Sequence, residues 1–161
     1  MLYAVLVVAL VALDQLVKYL VVQNISPGEY IPFLPHILDL TYVQNTGAAF
    51  SLFSEHTWLL TLISLVMSLL LLIALVRGFF RHPFGRISLA LLLAGAVGNL
   101  IDRAFQGYVV DMFHVLFMEF AVFNVADICV VVGGIAAALY YLFLADKLEP
   151  HPGRETDDDP A

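Results

Sequence analysis

LYAVLVVALVALDQLVKYLVV, residues 2–22, admits two readings, and the choice between them decides how the rest of the chain folds. As a secretion signal it would be removed; as a membrane span it stays. It lacks a basic start and a small-residue cleavage site, and it carries Asp14 and Lys18, so it reads as a retained transmembrane helix. Three more apolar stretches, 57–76, 87–105 and 124–144, are each about long enough to cross a bilayer. Of 161 residues 61% are hydrophobic and 13% charged, an apolar excess beyond that of soluble domains. Backbone groups in lipid must be satisfied internally, so helices are the expected form. The expected fold is an all-α polytopic membrane protein: four transmembrane helices, a small extracytoplasmic β segment and a short interfacial outer segment.

Basic residues give the direction. The loop 77–86, RGFFRHPFGR, holds Arg77, Arg81 and Arg86, whereas Tyr19 to Val76 contains no Lys or Arg. That loop is therefore expected to be cytoplasmic, with both termini on the same side. The outer segments are then 23–56 and 106–123. The first is rich in turn formers (Pro27, Gly28, Pro32, Pro35) and continues into β-like runs, ILDLTYV and AAFSLF, so a small sheet on the membrane surface is expected. The second is apolar enough to lie in the interface, partly as a short helix. Residues 1–146 form one membrane-embedded domain in this reading, and 147–161 a disordered acidic cytoplasmic tail that holds much of the net charge of −7. No nucleic-acid partner is expected, and a monomer is. The single cysteine, Cys129, excludes an intramolecular disulfide and a CxxC site, and reads as a small packing residue. Gly133 with Ala137 and Gly134 with Ala138 are expected helix-packing pairs.

Ionisable and amide side chains within spans are costly, so their positions carry information. Lys18 lies about one turn below the outer end of the first span, with Asp14 at i−4 on the same face. In the third span Gly95, Asn99 and Asp102 form a stripe, with Arg103 beside it. Asn124 and Asp127 open the fourth span, and Asn45 and Asp111 come from the outer segments. Five pieces of chain thus converge on one depth. The second span offers only hydroxyls (Thr57, Thr61, Ser64, Ser68) and looks like an anchor.

Each residue also has a plainer explanation. Asp14 with Lys18 suits a structural ion pair, and Asn99, Asp102 and Arg103 suit helix-to-helix contacts. Asp127 suits a first-turn acid favoured by the helix dipole, and Asp111 an interfacial loop acid. The histidines lack ligand spacing, and there is no GxSxG elbow or Gly-rich phosphate loop. No metal and no organic cofactor is expected. What remains open is carboxylate chemistry: two aspartates within reach share a proton, one activates water and the other hydrogen-bonds a scissile carbonyl. A transporter-like relay through Asp14, Lys18, Asp102, Arg103 and Asp127 is a rival, weakened because 2–12, 87–93 and 128–144 carry almost no polar groups. A catalytically silent lipid-binding scaffold is another.

The blocks DQLVK (14–18), NTGAAF (45–50), AGAVGNLIDR (94–103), VVDMF (109–113) and FNVAD (123–127), in that order, closely resemble the lipoprotein signal peptidase (signal peptidase II) family of bacteria, over about residues 10–145. One departure is Ala94, where the family usually has the first of two glycines. The resemblance implies an aspartic endopeptidase of the bacterial cytoplasmic (inner) membrane. It would have its site near the outer leaflet surface and cut prolipoproteins N-terminal to a diacylglyceryl-modified cysteine. It implies Asp111 and Asp127 as the catalytic pair. Asp14, Lys18, Asn45, Gly47, Asn99, Arg103 and Asn124 would bind substrate or shape the site. It also implies contact with membrane lipids and inhibition by globomycin-type cyclic peptides. The 23–56 and 106–123 segments would clamp a substrate that arrives at the interface.

Overall fold

With no water to hydrogen-bond in hydrocarbon, an apolar stretch closes its own backbone hydrogen bonds and becomes a helix. The computed structural model describes residues 1–47 and 57–145. Its long helices are α1 (Leu2–Asn24), α2 (Thr57–Arg77), α3 (Pro83–Gln106) and α4 (Val125–Leu139), the last continued by a π-helical stretch, Tyr140–Leu144. All four are long and apolar enough to cross a membrane. The AAFSLF run and the acidic tail lie outside the described residues.

The third helix is longer than the apolar run alone suggested. Pro83 sits at its start, where a missing N–H is no loss, and the His82 ring nitrogen accepts from the Phe84 N–H at 3.2 Å. Gly107 ends it in the left-handed region, at φ 77°, a conformation that glycine adopts without a Cβ penalty.

α3 packs against each of the other three helices. Small residues set the closest approaches: a Cβ added to Gly95 would overlap the Ala126 carbonyl oxygen and lie 2.7 Å from Val130 Cγ2. Ala94 is buried, so its methyl is accommodated where the family resemblance led us to expect glycine. Gly133 presses on the α3 backbone at Ser88 and Leu92, whereas a Cβ on Gly134 would meet only Leu92 Cδ2, at 3.9 Å. Among the described residues the expected Gly134/Ala138 packing surface is therefore not used, and Ala138 is exposed.

The strands β1 (Tyr30–Leu34), β2 (Leu38–Asn45) and β3 (Val109–Val115) form one antiparallel sheet in the order β1-β2-β3. β3 corrects one part of the reading of 106–123: its residues 109–115 form a strand, where part of the segment was expected to be a short helix. Its residues, VVDMFHV, are largely β-branched and aromatic, and β2 supplies the backbone partners, with Val43 opposite Asp111 and Asn45 opposite Val109. Side chains alternate across a strand. Val110 and Met112 consequently pack with Val21, Ile25 and Tyr42 in one core, while Val109 and Asp111 face a cavity on the other side. A second core, Leu75, Phe80, Leu89, Ala90, Leu93 and Tyr140, fills the opposite end of the bundle.

The tight α3–α4 contact makes a direct prediction. Gly95→Ala should lower stability by about 1–3 kcal/mol through overpacking, read as a lower melting temperature by circular dichroism in detergent. Gly134→Ala, whose added Cβ would meet only Leu92 Cδ2 at ordinary contact distance, should be near neutral. Equal effects would contradict this packing.

Candidate active site

A lysine ammonium has three hydrogens and no acceptor, and buried Lys18 uses all three. Its Nζ lies 2.9 Å from Asp14 Oδ2, 2.9 Å from Asp102 Oδ2 and 3.0 Å from Asn99 Oδ1. Asp14 and Lys18 are one turn apart on α1, so the first contact is local; the other two fasten α1 to α3. Gln15 Nε2 reinforces the join, donating to Asp102 Oδ1 at 3.0 Å and to Asp14 Oδ2 and the Gly98 carbonyl at 3.2 Å.

The two structural carboxylates then reach the segments bearing the other two. Asp14 Oδ1 accepts from the Ala126 N–H at 2.8 Å, and Asp102 Oδ2 accepts from the Val110 N–H at 3.1 Å. Ala126 precedes Asp127, and Val110 precedes Asp111. Each of the two remaining aspartates is thus held through the backbone amide just before it.

The amide side chains are oriented by the same chemistry. Because Lys18 can only donate, Asn99 turns its oxygen toward it, and its Nδ2 donates to Asp127 Oδ1 at 2.8 Å. Asn99 Oδ1 also accepts from Asn124 Nδ2 at 3.1 Å. Asn124 Nδ2 donates to Asp111 Oδ1 at 2.7 Å, while Asn124 Oδ1 caps α4 by accepting from the Asp127 N–H at 2.9 Å. Asp127 Oδ2 returns to the Asn124 N–H at 3.1 Å, completing a capping box. From the other side Asn45 Nδ2 donates to Asp111 Oδ2 at 2.9 Å, and Asn45 Oδ1 accepts from the Gly47 N–H at 2.9 Å.

Asp111 and Asp127 both line a cavity of about 520 Å³, with Asn45, Asn99 and Arg103. Its remaining walls are apolar, from Val109, Phe123, Ile128, Val130 and Val131 among others. Burial pushes the Asp111 carboxyl up to about 6; the like charge of Asp127 adds to this, and hydrogen bonds from Asn45 and Asn124 oppose it. Arg103 reaches the Gly47 carbonyl and Ser64 Oγ only at 3.4 Å, and its buried Nε has no acceptor among the described residues.

All nine sequence-derived site residues thus fall in one connected region. Asp102 proves as central as Asp14, since its two oxygens join α1, α3 and β3. Gln15 was missed, although an amide within a span is the same kind of signal that marked its neighbours. Ser64 was read as part of an anchor helix. Thr61 and Ser68 do bond back to Thr57 and Ser64 carbonyls, yet Ser64 also faces Arg103. Below this region Leu89, Ala90 and Leu93 close the bundle and the Ser88 hydroxyl turns to its own helix at Gly85. Among the described residues no polar path continues toward the other end, which argues against the relay reading.

A four-helix membrane bundle holding two buried carboxylates over an apolar-walled cavity defines a polytopic membrane protein with an enclosed polar site. Comparison with known proteins is more specific: a family model described as Signal peptidase (SPase) II matches residues 6–143, and the chain belongs to that peptidase family. It is 45% identical to a lipoprotein signal peptidase of Enterococcus faecalis over 86% of this chain and 85% of the relative. It is 40% identical to one of Clostridioides difficile over 91% and 99%. A bacterial membrane enzyme solved by the in meso method at 2.3 Å resolution superposes with a TM-score of 0.80 at 30% identity, covering 94% of each chain.

Lys18→Met should leave Asp14 and Asp102 buried without a counter-charge, a loss of about 3–5 kcal/mol. Thermal unfolding in detergent would show it as a large drop in melting temperature; an unchanged midpoint would mean that this cluster does not hold the bundle together.

Proposed function

We propose that the chain is an aspartic endopeptidase of the bacterial cytoplasmic membrane that removes the signal peptide from prolipoproteins, cutting N-terminal to the diacylglyceryl-modified cysteine. The observation that carries this reading is that Asp111 and Asp127 face one cavity and are joined through Asn124, which hydrogen-bonds Asp111 with its Nδ2 and caps Asp127 with its Oδ1. Two carboxyls held this way favour sharing one proton over ionising together. Below about pH 6 Asp111, whose carboxyl is raised to about that value, is the member that holds the proton.

In the reaction, Asp127 takes a proton from a water held between the pair while Asp111 hydrogen-bonds the scissile carbonyl. The hydroxide adds to the carbonyl carbon and gives a tetrahedral intermediate without a covalent adduct. Collapse breaks the C–N bond, and the proton gathered by Asp127 passes to the leaving amine. Arg103, which lines the cavity and whose Nε has no acceptor among the described residues, binds a substrate backbone carbonyl or the lipid headgroup. The apolar walls suit a substrate that stays in the bilayer: Val131 and Val132 line the cavity and are also exposed on the surface of α4.

In this reading the basic residues of 77–86 favour a cytoplasmic side for the α2–α3 turn and the termini, which would put the carboxylates near the outer leaflet surface. A bilayer-resident signal peptide would meet the site at that depth.

Asp111→Asn and Asp127→Asn should each lower cleavage of a diacylglyceryl-modified prolipoprotein by on the order of 10²–10⁴-fold while the protein stays folded. A variant with most of its activity intact would exclude that residue from the chemistry. In a pH series, log kcat/KM should decline as pH rises through about 6, where free Asp111 loses its proton. A flat profile from pH 5 to 8 would remove Asp111 as the proton-holding member.

A further inference from the structure

At the end of the bundle opposite the carboxylates Arg86 has no anion partner among the described residues. The Arg86 guanidinium lies 4.4 Å from the centre of the Tyr3 ring, its buried Nε has no acceptor among the described residues, and neither ion pair found among them includes it. Every described carboxylate belongs to 14–39 or 102–127, so none comes from the segments that form this end. Arg77, Arg81 and His82 lie in or beside the same short turn between α2 and α3.

We propose that Arg86 and Tyr3 form a binding site for the phosphate headgroup of an anionic phospholipid in the leaflet opposite the carboxylate site. Depth is the first support. With 24 residues at 1.5 Å each, α3 is about 36 Å long, against roughly 30 Å of hydrocarbon. Its opening turn therefore stands at headgroup level. The second support is the setting. Arg86 and Tyr3 bridge the seam between α3 and α1, and the flanking Leu2, Val5, Phe84 and Ile87 are all exposed apolar side chains. Such a seam faces acyl chains, so the acceptor within reach of the guanidinium is a lipid phosphate.

The third support is the chemistry. A guanidinium presents a planar fork that matches two phosphate oxygens. The Tyr3 ring holds that plane in place by a cation–π contact before any ligand arrives, leaving the outer donors for the phosphate. Phe79, 66% exposed in the same turn, is placed to pack on the glycerol and upper acyl region.

The test is lipid retention by the full-length protein in detergent, titrated with phosphatidylglycerol or phosphatidylcholine and read by native mass spectrometry. The parent should hold phosphatidylglycerol preferentially. Arg86→Gln should weaken that by roughly fivefold, the scale of about 1 kcal/mol per basic residue near an anionic surface. Arg77→Gln removes the same charge from an exposed position at the end of α2 and should have a clearly smaller effect. Arg86→Lys keeps the charge but not the fork and should fall between parent and Arg86→Gln, which also guards against a folding defect in the latter.

Equal losses from Arg86→Gln and Arg77→Gln would overturn the site in favour of diffuse attraction to a basic turn. No loss from Arg86→Gln would also overturn it, as expected if the acidic segment from Asp146 onward supplies the anion. Inorganic phosphate that competes as well as the lipid at equal concentration would exclude a lipid-specific site.

Discussion

Everything near the carboxylates depends on one buried ammonium. Lys18 carries a single positive charge into the bundle and meets two carboxylates and one amide oxygen there. A charge at this depth is tolerable only when its donors are matched, and here the matching itself builds the site. The two carboxylates that neutralise it have oxygens to spare, which take the Ala126 and Val110 N–H groups. One ion cluster therefore fixes two backbone segments that are distant in sequence, the start of α4 and the start of β3.

This division of labour explains four aspartates in one small region. Asp14 and Asp102 spend their lone pairs on Lys18, Gln15 and backbone amides, and so are structural. Asp111 and Asp127 each receive hydrogen bonds on both oxygens but face a cavity. The asparagines between the two sets relay orientation: Lys18 dictates how Asn99 lies, and Asn99 dictates how Asn124 lies. A change at Lys18 would therefore reach the proposed dyad through hydrogen-bond polarity as well as through lost stability.

Much of this was legible in the sequence because lipid makes polar residues conspicuous. Asp14, Lys18, Asn99 and Asp102 stand out against apolar neighbours, and helical spacing put them on shared faces. Family resemblance supplied the pairing of Asp111 with Asp127, which spacing alone could not. β3 was not legible: seven apolar-rich residues suit an interfacial helix as well as a strand, and only the partner strand β2, some 70 positions earlier, settles the matter. Gln15 escaped because it lies between two charged neighbours that explained each other, and Ser64 because a serine bonded to its own helix looks the same in sequence as one turned toward Arg103. The Gly134 pair failed for a related reason, since small residues mark where a helix could be approached but not which face is.

The proposed dyad also works against the fold that holds it. Asp111 has its carboxyl at about 6 in the folded protein, above the roughly 3.9 of an exposed aspartate. A raised acid contributes stability that is fully present below the unfolded value and is lost as pH rises through about 6. Near neutrality the buried, repelled charge of Asp111 is therefore a net cost, and other contacts must offset it. They lie close by: the α3–α4 contact at Gly95 and the Val110–Met112 core flank the strand and helix that carry the two acids. The backbone on either side of each acid is thus packed or anchored while its carboxyl stays reactive, the arrangement expected where a site keeps a functionally useful but unfavourable charge.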